Sequence, residues 1–253
     1  MAAALTQIPV TTKKPEPKSR VIFTQPGKGG VGKTAFMTML VEWYAAHNTE
    51  VALIDMDTEN KAQGSLAHFF PRAKKTNIHL ARGLDQFVEA LDEGIPLVVA
   101  DMGASGGHVA EEWFESMYEA ANDAGIAFTS IGIVTPDPAS VASVLDYGSF
   151  LQDRVDYLIV KNSTVKQSDF GYWDTDPQAV EFRQIFKPQV ISMEYRLPDI
   201  EFEAREHGLT LNAVAERKTN LPLLSLTGSV WRAQAYRRNI YKELDRVKDL
   251  LIL

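Results

Sequence analysis

Short, largely apolar runs recur along the chain at Val21–Thr24, Val51–Ile54, Leu97–Ala100, Ile126–Val134, Val155–Val160 and Gln189–Ser192. Runs of this length, apolar at successive positions, predict strands covered on both faces. Between them, Lys33–His47, Leu84–Glu93, Ala110–Asn122 and Ala139–Leu151 have helix-forming composition with apolar residues at helical spacing. Two further helices are predicted near Thr175–Phe186 and Ser229–Leu250. Asp137 followed by Pro138 fits an N-cap and first-turn pair for the helix that follows. Strand and helix in steady alternation predict an α/β fold: a doubly wound, mostly parallel sheet with helices on both faces. Residues 1–20 break the pattern. They mix Pro9, Pro15 and Pro17 with Lys13, Lys14 and Lys18 and have no apolar periodicity, which predicts a flexible basic arm before a single domain over 21–253.

Composition narrows the classes. With 253 residues, 45% hydrophobic and 23% charged, the chain can bury a substantial core, so disorder is excluded as its main state. No run of eighteen apolar residues occurs, and the first twenty residues are interrupted by Thr, Gln, Lys and Pro. Neither a spanning helix nor a secretory signal is expected, which predicts a cytoplasmic protein. The absence of cysteine removes disulfides, thiolate zinc sites, iron–sulfur clusters and thiol nucleophiles. The net charge of −7 argues against coating nucleic acid by bulk positive charge, but it is unevenly placed. Gly83–Asp153 holds thirteen Asp and Glu and no Lys or Arg, leaving 26 basic against 20 acidic residues elsewhere. Such a block is commonly the solvated face of a few helices.

The most informative stretch is Gly27-Lys28-Gly29-Gly30-Val31-Gly32-Lys33-Thr34, which follows the first predicted strand and opens the first helix. It satisfies the phosphate-loop spacing G-x-x-x-x-G-K-[ST]. The glycines let successive backbone N–H groups turn inward toward phosphate oxygens at the positive end of a helix. Lys33 is placed to reach the β and γ phosphates, and Thr34 to offer a hydroxyl to Mg²⁺. The other reading, a glycine-rich turn that merely joins strand to helix, does not account for the lysine and threonine at these positions.

Lys28 is a second lysine inside the loop. In K-G-G-V-G-K-T the chain resembles the deviant Walker A family that includes ParA, MinD and their relatives. The resemblance implies an ATPase dependent on ATP and Mg²⁺ that forms a homodimer around the nucleotide, with Lys28 reaching the partner subunit's ATP. Asp55 and Asp57, in Leu53-Ile54-Asp55-Met56-Asp57, match the family's D-x-D. By resemblance Asp57 orients the attacking water and Asp55 lies close to the metal shell. Asp101 ends an apolar strand as the Walker B carboxylate does. Thr34, Asp55 and Asp101 are therefore the candidate metal residues, Lys28, Lys33 and Asp57 the catalytic ones, and Gly27–Ala35 the phosphate cradle. Lys161-Asn162-Ser163-Thr164 lacks the K-x-D of guanine-binding relatives, and Asn162 matches an Asn that contacts adenine. Leu197-Pro198-Asp199 resembles the turn that closes over the base, adding Pro198 and Asp199 to the nucleotide contacts.

The match runs from Val21 to about Ala215 and has departures. Ala35 stands where relatives carry Thr or Ser, and Thr58-Glu59-Asn60 follows Asp57 in place of Pro-Gln. Asp101-Met102-Gly103-Ala104-Ser105 replaces D-x-P-P and resembles TraL-type proteins encoded with plasmid conjugation genes. Two other readings stay open: a metabolic ligase or kinase acting on a small molecule, and a nucleotide-binding module that no longer hydrolyses. The five histidines show no ligand spacing. Tyr172 and Trp173 after Gly171 suggest an exposed partner loop or a lid over the base. In the last predicted helix Tyr236, Ile240, Leu244, Val247 and Leu251 form an apolar stripe, with Trp231, Arg232, Arg237, Arg238, Lys242, Arg246 and Lys248 beside it. Core packing with a solvated basic face explains this helix first. Nonspecific DNA contact comes second, and membrane attachment by Leu250–Leu253 is disfavoured by Glu243, Asp245 and Asp249. An activating or cargo protein is expected, of a kind these residues do not specify.

Overall fold

A computed structural model describes residues 17–57, 64–80 and 82–253. Along the chain lie β1 (Ser19–Thr24), α1 (Lys33–Ala46), β2 (Ala52–Met56), α2 (Leu66–Phe69), β3 (Lys74–Lys75), α3 (Gln86–Glu89), β4 (Leu97–Met102), α4 (Gly107–Asp123) and β5 (Ile126–Val134). The second half adds α5 (Pro138–Leu151), β6 (Asp156–Asn162), α6 (Gly171–Thr175), α7 (Pro177–Phe186), β7 (Gln189–Met193), α8 (Pro198–Glu206), α9 (Leu211–Ala215), α10 (Pro222–Ser225) and α11 (Thr227–Arg246). The seven strands form one sheet in the order β3-β2-β4-β1-β5-β6-β7, with every pairing parallel.

Strand residues alternate between two apolar layers, as the two-residue repeat of a strand requires. On β1, Val21 and Phe23 face a layer containing Phe87, Trp113, Phe114 and Phe128. Ile22 faces the opposite layer, built by Phe36, Leu40, Trp43 and Tyr44 of α1 with Tyr236, Ile240 and Leu244 of α11. A third, smaller cluster joins α8, α9, α10 and the start of α11 through Ile200, Val214, Leu224 and Ala233. Asp137 caps α5 as its sequence predicts, accepting the Ala139 N–H at 2.9 Å ahead of Pro138.

Several expectations are corrected. Ser19 and Arg20 belong to β1 and not to the arm: the Arg20 guanidinium is buried, donating to Thr129 Oγ1 at 2.7 Å and to Asp156 at 2.8 Å. Residues 1–16 of the arm and Thr58-Glu59-Asn60 lie outside the described residues. The predicted helix over Thr175–Phe186 is two helices: the Asp176 N–H closes α6 on the Tyr172 carbonyl at 3.0 Å, its backbone then leaves the helical conformation, and its side chain caps α7. Trp173 is fully buried against Phe182, and Tyr172 alone of that pair is exposed. The chain end is packed: Leu251 is fully buried, Tyr44 donates its hydroxyl to the Leu251 carbonyl, and Thr129 donates to the Leu250 carbonyl at 2.7 Å. Leu250–Leu253 is thus largely occupied as core. Among the described residues no helix is long and apolar enough to cross a membrane.

Candidate nucleotide site

The loop between β1 and α1 opens at the C-terminal ends of the central strands, where the chain crosses from one side of the sheet to the other and where ligands of such sheets bind. Its glycines answer a backbone demand. Gly27, Gly30 and Gly32 have φ of 114°, 74° and 98°, a region that L side chains rarely enter. Gly32 is also the N-cap of α1 and supplies no side-chain cap, so the first amides of the helix point into the site. Lys33 folds back over the loop, its ammonium donating to the Lys28 carbonyl at 2.9 Å.

A cavity of about 540 Å³ begins at this loop. Gly29, Gly30, Gly32, Lys33, Thr34 and Ala35 line one end, with Asp57 beside them and Asn162 and Pro198 farther along. It continues between α1 and α8 past Thr38, Met39, Arg205 and Leu209. Lys28 points elsewhere: its ammonium pairs with Asp137 at 3.4 Å, and its backbone N–H donates to Ser143 Oγ at 3.0 Å. Helix α5 therefore grips the first half of the loop through Ser143, a contact with no motif to announce it in the sequence.

Three carboxylates stand at the strand ends. Asp55 and Asp101 are register partners on adjacent strands and both are buried, as is Asp57. Thr24 orients Asp101, donating to its Oδ1 at 3.2 Å while accepting the Met102 N–H at 2.8 Å. The other oxygen, Oδ2, is buried and has no hydrogen-bond partner among the described residues. Burial pushes the Asp101 carboxyl up to about 7, helped by the charges of Asp55 and Asp57 and opposed by the Thr34 hydroxyl and the Lys33 ammonium. Asp55 has both oxygens engaged, Oδ1 by the Asp57 N–H at 3.1 Å and Oδ2 by the Ala67 N–H at 2.9 Å. The described acidic and histidine residues form no preassembled metal cage. An open arrangement with one orphaned carboxyl oxygen near a threonine fits a hard cation that keeps waters and takes phosphate oxygens, as Mg²⁺ does, and whose charge would favour the ionised carboxylate.

Residues 22–95 match the family described as the CobQ/CobB/MinD/ParA nucleotide binding domain. The MinC:MinD cell division protein complex of Aquifex aeolicus superposes with a TM-score of 0.50 at 15% identity, covering 89% of this chain and 97% of the other. The fold is that of a ParA/MinD-type P-loop NTPase. MinD of the same organism gives 0.49 at 14% identity over 89% and 98% of the two chains. FlhF complexed with GTP and Mg²⁺ gives 0.41 at 14% identity over 74% and 70%. No curated protein matches the chain.

Within this P-loop NTPase fold, Asn162 serves the loop itself. Its Nδ2 donates to the Val31 carbonyl at 2.8 Å, and a Cβ built on Gly32 would lie 2.6 Å from the same nitrogen. Its Oδ1 is buried without a partner among the described residues. Pro198 lines the cavity at the first turn of α8, whereas Asp199 is exposed and accepts the N–H of Ile200. Arg196, buried between Glu201 at 2.8 Å and the Tyr236 hydroxyl at 3.0 Å, also lines the cavity. Arg196 and Arg205 escape sequence reasoning because only the packing of α8 brings them to the phosphate-loop side. The basic residues of α11 divide: Arg237 pairs with Glu216 and Arg246 with Glu243, while Arg232, Arg238 and Lys242 are exposed.

Proposed function

We propose that this protein is an ATP- and Mg²⁺-dependent switch that hydrolyses slowly and dimerises around the nucleotide. The observation that carries the reading is the glycine loop with Lys33 folded over it and a buried, unsatisfied Asp101 behind Thr34. In it, the amides of Gly29–Thr34 and the Lys33 ammonium bind and neutralise phosphate oxygens. Thr34 and Asp101 hold Mg²⁺, which would supply charge stabilisation to the transferring phosphoryl group. Asp57 lines the cavity, as Gly64 does, and its carboxylate would orient water there. Asn162 gives one N–H to Val31 and keeps its Oδ1 without a partner among the described residues; such an acceptor suits the amino group of adenine.

Lys28 contributes to a partner's phosphates only after leaving Asp137. That pair is half exposed, and such pairs are weak enough for a phosphate to displace. Solution mass by light scattering with ATP and Mg²⁺, for the wild-type chain and Lys28→Ala, is the test. Dimerisation and hydrolysis that depend on Lys28 support the reading; a variant behaving as wild type overturns it. A surrounding role in partition, positioning or conjugal transfer, with a partner protein and weak DNA contact through Arg232, Arg238 and Lys242, is the setting that fits such a switch.

A further inference from the structure

Asp55 occupies a different position from the one a D-x-D pair suggests. It is fully buried and spends both carboxylate oxygens on backbone N–H groups. Those two N–H groups belong to Asp57, two residues ahead, and to Ala67, twelve residues ahead. One side chain therefore closes both flanks of the segment that runs from the end of β2 into α2. The need for it at α2 is plain: Ser65, the N-cap residue, makes no side-chain capping bond, so a helix of four residues depends on an anion from elsewhere. The far end of α2 is held separately, where the His68 ring donates to the Arg205 carbonyl at 2.8 Å.

Asp57 is pressed into the same frame from the other side. A Cβ on Gly103 would come within 3.1 Å of Asp57 Oδ1 and 3.2 Å of its Cα, so the turn after β4 packs closely on Asp57. The contrast with Asp101 decides the assignment. Asp101 keeps an oxygen with no hydrogen-bond partner among the described residues, whereas each Asp55 oxygen already holds a backbone amide.

We propose that Asp55 is a positioning residue: it holds Asp57 and α2 in register so that the Asp57 carboxylate is presented to the cavity, and it does not ligate the metal. The inference rests on the nucleotide-site reading above for the role of Asp57, and the experiment separates the two.

Amide hydrogen exchange by NMR on the wild-type chain comes first, since it needs no variant. The Asp57 and Ala67 amide protons are expected to be protected, and unprotected ones overturn the proposal. Asp55→Asn, whose side chain keeps one acceptor oxygen, is then compared with wild type. At least one of those two amides is expected to exchange about tenfold faster, with hydrolysis falling about tenfold and Mg²⁺-dependent ATP affinity retained. A loss of Mg²⁺ affinity with unchanged amide exchange makes Asp55 a metal ligand and overturns the proposal. If the wild-type chain binds MgATP but does not hydrolyse it, the hydrolysis reading fails and the exchange measurements still decide the place of Asp55.

Discussion

Glu42 lies on the buried side of α1, against the first turn of α9. Burial pushes its carboxyl from an ordinary 4.5 up to about 7, opposed by the nearby Thr210 hydroxyl and Asn212 N–H, with Glu216 and Arg237 the charges nearby. A raised carboxyl favours the folded state only while it is protonated. Its stabilisation is complete below pH 4.5, where the folded and unfolded chains are both neutral at this group, and is lost as pH rises through 7. The full difference is about 3 kcal/mol. Glu42→Gln removes the charge and keeps one acceptor oxygen, so about 1 kcal/mol of hydrogen bonding is lost in return. At pH 8.5 the variant should therefore be more stable than wild type by about 2 kcal/mol, raising Tm by roughly 4–8 °C for a chain of this size. At pH 4.5 the gain should vanish and the variant should be level with or slightly below wild type. Urea unfolding at fixed salt at the two pH values measures this. A variant no more stable than wild type at pH 8.5, or a difference that does not change with pH, refutes the reasoning.

Three further outcomes follow from particular contacts. Gly32→Ala puts a side chain at φ 98° and a Cβ 2.6 Å from Asn162 Nδ2; the strain of about 1–3 kcal/mol falls on the phosphate loop, and calorimetry should show MgATP binding weakened about tenfold or more. Asp137→Asn keeps the cap on Ala139 but releases the Lys28 ammonium. ATP-dependent dimerisation, followed by light scattering, should then occur at about two- to threefold lower protein concentration, with no such effect in a Lys28→Ala background. Gly148→Ala drives a Cβ to 2.5 Å from the Phe182 ring between α5 and α7 and should cost about 1–3 kcal/mol in chemical unfolding while leaving nucleotide binding unchanged.

The strands, the phosphate loop and the carboxylates at the strand ends were readable because each is local: an unbroken apolar run, a glycine spacing, an acid closing a strand. Their assembly was readable as well, since alternating strands and helices leave few ways to build a parallel sheet. What local pattern did not reveal were contacts between distant segments. Asp55 looks like a metal residue from D-x-D, yet its environment is set by Ala67, whose helix of four residues has no periodic signature. The hold of Asn162 on Val31, more than a hundred residues earlier, has no local signature either. Trp173 reads as exposed after Gly171 until α7 folds over it. Arg20 reads as part of a basic arm, and only the arrival of Asp156 and Thr129 makes it interior.

Whether the cavity beginning at the glycine loop is a nucleotide site is decided by calorimetric titration of the purified chain with ATP in the presence of Mg²⁺. Saturable binding at one nucleotide per chain is expected, weakened about tenfold or more in a folded Lys33→Ala variant that loses the ammonium above the loop. No binding by the wild-type chain, or equal binding by Lys33→Ala, would contradict a nucleotide site there.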